Sequence, residues 1–406
     1  MLITKFAAAL LLLIGFAYAA DVCHPEINAP TDAAEVKQQL AGMKSLLANA
    51  TDRQTVLYII STAQAHLGDW DAAYRSLQTA TSERPWFDPS GEPAFQPVLN
   101  CPSVQTAIAK VRAGSPPVRS AQLYLTVPPA DLFPEGIAVD AKTGEFYLSS
   151  TFHRKILRIG PDKAVHDFIT SGDQGTLEVL GVRMDPRDHS VWANSEDEMH
   201  GKSWLHHWDH SGKLMARYTV EGGNHLFNDL VITRAGDVYL TDSAEKAFYE
   251  LPNGANTLQR IALPNAYYPN GIALSDDEKY LYVSDAFDLF QIDVSTNAIR
   301  RLAPPKGASI AGFDGLYFYR GSLIGIQNGM GTPRVLQVKL SASGDSALSV
   351  RTLEYRSPMV QLPTTGAIYK GRFYFIANSQ IDQEQGGKIK ESAKLKPVHI
   401  AVIPIP

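Results

Sequence analysis

Glu135, Leu180, Asn228, Asn270, Asp314 and Thr365 follow one another at intervals of 45, 48, 42, 44 and 51 residues. Each opens a string of one pattern, as in Pro134-Glu135-Gly136-Ile137-Ala138-Val139-Asp140 and Pro269-Asn270-Gly271-Ile272-Ala273-Leu274-Ser275. Two of the six are carboxylates and two are carboxamides. If the chain brings these positions together, four oxygen donors with two formal negative charges surround one point. That set suits a hard divalent cation. Calcium fits before magnesium, which demands a stricter octahedron and keeps more water. No His or Cys stands among the six, which argues against zinc or copper. Asn-Gly and Asp-Gly pairs also open turns for purely local reasons. The register match across four units is what favours a site.

Other residues qualify by type. His153, in the loop 150–154, could act as a base or bind substrate. The segment 194–203 reads as a long acidic loop, a candidate lid, with Asn194 at its start and His200 inside it. Asp242, Asp285 and Asn328 end strands, where they either line a pocket or make turns. Asp229 stands beside Asn228. The tract His206-His207-Trp208-Asp209-His210 has metal-ligand residue types, but successive side chains on a strand face opposite ways, so His206 and His207 cannot converge. No Gly-x-Ser-x-Gly elbow, P-loop or dinucleotide fingerprint occurs.

The elements needed to position these residues are short strands. From 120 to 406 the apolar period is two, in runs such as Lys279-Tyr280-Leu281-Tyr282-Val283 bounded by turn residues. Six units of about 40–50 residues, each with several strands, predict an all-β six-bladed propeller whose first strands line a central channel. Either the C-terminal run 398–405 or the strand 122–127 is expected to close the last blade and remove a free sheet edge. Ahead of it, residues 31–113 read as a small α-helical region. Thr31 is the expected cap of a first helix, a second runs over about 52–67, a third starts near Trp70 and stops at Pro85, and a fourth covers about 104–111. The middle pair is tetratricopeptide-like, with Gly68 at the turn and Ala73, Leu77 and Ala80 at the packing positions. One such unit is too few for an array, so a bundle packed on the propeller is expected rather than a peptide-binding solenoid. The expected division is 1–19 signal peptide, 20–115 helical region and 120–406 propeller.

From about 123 to 380 the chain resembles the senescence-marker-protein/gluconolactonase/luciferin-regenerating-enzyme family, and more distantly the paraoxonases. The resemblance rests on PEGIAVD at Pro134, FND at Phe227, PNGIALS at Pro269 with YLYVSD at Tyr280, and FDGLYF at Phe313. It implies a six-bladed propeller with a catalytic divalent cation, usually calcium, on the axis. Carried onto this sequence, Glu135, Asn270 and Asp314 hold the cation. Asn228 binds metal or substrate. The resemblance also implies Asp314 as general base or nucleophile. Asp229, beside Asn228, and Asn194, His200, Asp285 and Asn328, from their loop and strand-end positions, are expected around the substrate. Sugar-lactonase members place Arg two residues before the FND Asn. Here that residue is Leu226, which puts a sugar-acid substrate in doubt.

Composition sets the surroundings. The 406 residues carry a net charge of -5, with no basic field for nucleic acid. Lys5, the apolar run 6–16 and Ala17-Tyr18-Ala19 form a signal-peptide pattern, so export to the periplasm or medium is expected, with no membrane span after cleavage. In an oxidising compartment the lone Cys23 and Cys101 are expected to pair, closing a loop whose chain-entropy effect is about 4 kcal/mol. Asn49-Ala50-Thr51 matches a glycosylation sequon, relevant only in a host that glycosylates. The sequence therefore points to an exported calcium-dependent hydrolase of small-molecule lactones or related esters, with another divalent cation as a substitute. The alternative is a non-catalytic secreted propeller with a structural calcium, acting as a binding module. The N-terminal helices could then recruit a protein partner.

Overall fold

The computed structural model describes residues 23–83, 87–329 and 331–406. The signal-peptide segment and the expected helix stop at Pro85 lie outside the described residues.

Four helices come first: α1 (Ala33–Leu46), α2 (Arg53–His66), α3 (Trp70–Glu83) and α4 (Pro102–Gly114). The first starts one residue later than expected, with Asp32 rather than Thr31 at the cap position. Asp52 caps α2 by accepting from the Thr55 N–H at 3.1 Å. Gly68, at φ +74°, ends that helix, with Gly68 N–H donating to Ala65 O and Asp69 N–H to Gln64 O. This paired arrangement needs a left-handed residue, which glycine adopts without a Cβ penalty. Pro102 begins α4, where its fixed φ suits the first helical position, so the helix starts before residue 104. Ala73, Leu77 and Ala80 are fully buried together with Tyr58, Phe95, Val104 and Ile108. Among the described residues no helix is long and apolar enough to cross a membrane.

Cys23 and Cys101 form a disulfide across a sequence separation of 78. It ties the start of the described chain to the start of α4. Replacing Cys101 with Ser is expected to cost about 2–4 kcal/mol. Chemical denaturation followed through helix ellipticity checks this, and an unchanged midpoint would refute it.

Six four-stranded antiparallel sheets then surround one axis. Their innermost strands are Ile137–Val139, Glu178–Met184, Phe227–Ile232, Ile272–Leu274, Phe313–Tyr319 and Gly366–Tyr369. Both candidates for closure take part. Val398–Pro404 is the third strand of blade six and Gln122–Val127 is its outermost, with Gln122 opposite Val402 and Val127 opposite Val398. Apolar side chains fill the spaces between blades. Tyr147 and Ile156 of blade one, for instance, meet Val179, Val191, Ala193 and Trp208 of blade two.

The segment 194–203 is not a loop. Strands Val191–Asp197 and Lys202–Trp208 pair through it, leaving only a short turn around His200. Its acidic residues suggested a lid, but Asn194, Ser195 and Ser203 are buried in the sheet, where cross-strand pairing outweighs local polarity.

The helices dock on the propeller. Leu40, Met43, Val56 and Ile60 pack with Phe287 of blade four. Thr51 Oγ1 donates to Asp288 Oδ1 at 2.6 Å, and Arg301 Nη1 donates to Asn49 O at 3.1 Å. On another side, Tyr355 of blade five belongs to the core of α2, α3 and α4.

Candidate metal centre and active site

A glycine follows five of the six axial residues, Asn228 being the exception, and four of these glycines explain how the inner strands meet. A Cβ on Gly136 would stand 2.2 Å from Leu180 O, and one on Gly271 would stand 2.6 Å from Asp314 O. Gly181 and Gly315 are similarly crowded by blades three and six. None of these four has a positive φ. They are therefore not turn glycines. They let neighbouring inner strands approach until the preceding side chains share the axis.

Hydroxyls lock this ring. Thr365 Oγ1 donates to Glu135 O at 2.6 Å, and Thr241 Oγ1 donates to Asn270 O at 2.7 Å. Thr365 thus braces the site, and Leu180 contributes an apolar side chain. Asp314 accepts from Asn270 Nδ2 at 3.0 Å on one oxygen and from Asn328 Nδ2 on the other. Asn328 also donates to Pro363 O at 2.8 Å. Asn228 donates through Nδ2 to Ser243 Oγ at 3.2 Å. Glu135 and Asp314 are 6% and 8% exposed, and the charge of Asp314 acts on Glu135.

Electrostatics follow from that packing. Burial first, then the charges of Asp314 and Asp229, push the Glu135 carboxyl well above its usual range. Burial likewise raises Asp314 to about 6, against the hydrogen bonds from Asn328 and Asn270. Glu135 Oε2 and Asn270 Oδ1 are buried and find no hydrogen-bond partner among the described residues. Two crowded carboxyls beside two orphaned oxygens fit a hard cation, which would satisfy both atoms and relieve the repulsion. Among the described residues no group of three or more His, Cys, Asp or Glu could hold a metal, so a metal here depends on the carboxamides.

A cavity of about 200 Å³ opens over Asn270, Asp314 and Asn328. Asp285 also lines it, but its carboxylate is engaged by the Phe287 and Asp288 N–H groups at 2.8 and 2.7 Å, which makes it a turn residue. His153 does not line this cavity. Its Nε2 lies 3.1 Å from Asp131 Oδ1. His200 is exposed and held by Asp197, in a neighbouring cleft of about 320 Å³ that also contains Glu196 and Phe152. Asn194 is fully buried with neither amide atom partnered. His206 hydrogen-bonds Ser195 at 2.8 Å and His207 stacks on Trp192 at 3.9 Å, so the two imidazoles diverge as expected.

Three features have weak sequence signals. Arg183, on the inner strand of blade two, pairs with Asp229 of blade three at 2.7 Å and lies 5.0 Å over the Tyr317 ring of blade five. Burial opposes its charge, but Asp229 and Tyr317 outweigh that and raise it. Its only mark in the sequence is a charge inside the apolar run that follows Glu178 on the first strand. His225 is buried with its Nδ1 2.7 Å from Asp242 Oδ2, a pairing across 17 residues that no motif announces. Ile59 of α2 also reaches the axial cavity.

The fold and site define a six-bladed propeller with a polar axial pocket. Residues 133–315 match the family model described as SMP-30/Gluconolactonase/LRE-like region. Among solved structures, a gluconolactonase of Xanthomonas campestris is 20% identical, with 72% of this chain and 93% of that one covered and a TM-score of 0.51. A catalytically inactive virginiamycin B lyase of Staphylococcus aureus, solved with quinupristin, is 17% identical, covering 70% and 99% at a TM-score of 0.51. At such identities the likeness is one of fold. No curated protein matches the chain.

Proposed function

We propose that this protein is a calcium-dependent hydrolase of lactones or related esters, exported to an oxidising compartment. One observation carries the reading: Asn270 and Asp314 line a cavity, the Asp314 charge acts on the buried Glu135, and Glu135 Oε2 and Asn270 Oδ1 are unsatisfied. The family match over 133–315, which spans these residues, supports the lactonase class. The Cys23–Cys101 disulfide supports export.

Glu135, Asn270 and Asp314 would hold the cation, with Asn228 completing the set or orienting substrate. A bound divalent cation would supply a Lewis acid for the carbonyl oxygen on which charge develops. Asn270 and Asn328 fix both oxygens of Asp314, so its carboxylate is oriented before substrate arrives. Asp314 would take the proton of the attacking water, or attack the carbonyl itself. Cation binding lowers its basicity, which favours attack over proton transfer. A hydrolysis screen of lactones, aryl esters and phosphotriesters, with and without chelator, tests the reading. Hydrolysis abolished by chelator and restored by calcium is expected.

The raised carboxyls give this a pH signature. Without cation, a carboxyl whose folded pKa is raised stabilises the fold below its unfolded value, and that contribution is lost as pH rises through about 6. At pH 5 a proton competes with the cation for Asp314. Calcium affinity is expected to be at least about tenfold weaker at pH 5 than at pH 8, with a smaller thermal upshift. Titration calorimetry and melting curves at both pH values check this, and pH-independent binding would refute it.

A second reading has one observation of its own. A groove of about 510 Å³ between α3 and α4, lined by Tyr74, Arg75, Gln78 and Lys110 among others, offers a surface for a protein partner. In that case the calcium is structural and no substrate of the screen is cleaved.

A further inference from the structure

The N-terminal helices do more than sit beside the propeller. Helix α2 borders the axial cavity, where Ile59 lines it together with Asn270 and Asp314. Its placement is fixed on both sides. The next residue, Ile60, is 3% exposed and packs with Phe287. Thr51 is bonded to Asp288, and Thr55 Oγ1 lies 3.5 Å from Ser309 Oγ. Ile59, Ala286 and Phe313 supply apolar lining, with Tyr268 beside them. The polar side chains of the lining are Asn270, Asp314, Asn328, the hydroxyl of Tyr268, and Asp285, which is already committed to backbone N–H groups.

We infer that Ile59 is a specificity-determining residue, and that the site takes a compact ester or lactone carrying an apolar alkyl group in preference to a polyhydroxylated one. The inference rests on the axial site being where substrate binds. A polyol placed against this apolar lining would bury hydroxyls with no partners, and each such group is disfavoured by up to about 10²-fold. An alkyl chain there exchanges water for Ile59 and Ala286. The cavity of about 200 Å³ is below the ~300–1,000 Å³ usual for larger ligands, so the group it encloses is short.

The experiment uses the full disulfide-bonded chain with calcium present. It compares δ-octalactone with glucono-δ-lactone by kcat/KM, and by titration calorimetry for binding alone. The intact protein is expected to prefer δ-octalactone by at least about tenfold. Ile59→Ala, which removes wall contact, and Ile59→Gln, which adds a polar group at similar length, are each expected to reduce that preference by about tenfold or more. Calcium binding in both variants is expected to be unchanged, which separates lost selectivity from a damaged site. Equal or reversed preference in the intact protein would overturn the inference, as would a ratio indifferent to both substitutions. If δ-octalactone binds through Ile59 but is not cleaved, the hydrolase reading fails while the apolar site stands.

Discussion

Replacing Asp314 with Asn is expected to lower ester or lactone hydrolysis by about 10²–10⁴-fold, a loss that saturating calcium does not repair. The substitution keeps side-chain shape and one oxygen donor. Asn270 and Asn328 currently donate to separate oxygens of Asp314. In the variant one of them meets an amide N–H instead. Asn270 can answer by rotating its unpartnered Oδ1 toward that group. Folding should therefore survive, and calcium should still raise the melting temperature once its concentration offsets the lost charge. What does not return is a basic or nucleophilic oxygen at this position. Rates measured at increasing calcium, beside melting temperatures, separate the two effects. Recovery of rate in step with the melting temperature would show that Asp314 serves only as a ligand.

The second large effect is expected at Arg183, away from substrate. Its side chain is 14% exposed, and its partner Asp229 is 1% exposed. Arg183→Met removes the guanidinium and leaves a buried carboxylate near Glu135 and Asp314. Breaking such a pair costs about 3–5 kcal/mol, far more than a surface ion pair contributes. Chemical denaturation of the cation-free protein is the measurement. The double variant with Asp229→Asn should recover much of the loss, because the stranded charge is then gone. A single variant destabilised by less than about 1 kcal/mol would mean that Asp229 finds another partner or a proton at little cost.

Much of the propeller was legible in the sequence for a physical reason. A strand buried on one face imposes a period of two, and a blade imposes a repeat of about 40–50 residues. The axial set was legible because inner strands must approach closely. That requirement puts a glycine after Glu135, Leu180, Asn270 and Asp314, and marks the residue before it. The helices α2 and α3 were legible from Gly68 and the small residues at 73 and 80. The disulfide was legible because only two cysteines exist.

Other features needed the tertiary structure. Residues 194–203 look like an acidic loop until pairing with their neighbours makes them two strands. Blade six closes with strands from both ends of the propeller, and nothing local states which comes third. His153 and Asn328 both follow strand ends, yet only Asn328 reaches Asp314. Arg183 meets Asp229 and Tyr317 across the axis, and Ile59 meets the cavity from a separate helical region. Periodicity reports which way a side chain faces relative to its own strand or helix. It carries no record of which distant residue it will face, because closing the ring and docking the helices set those distances.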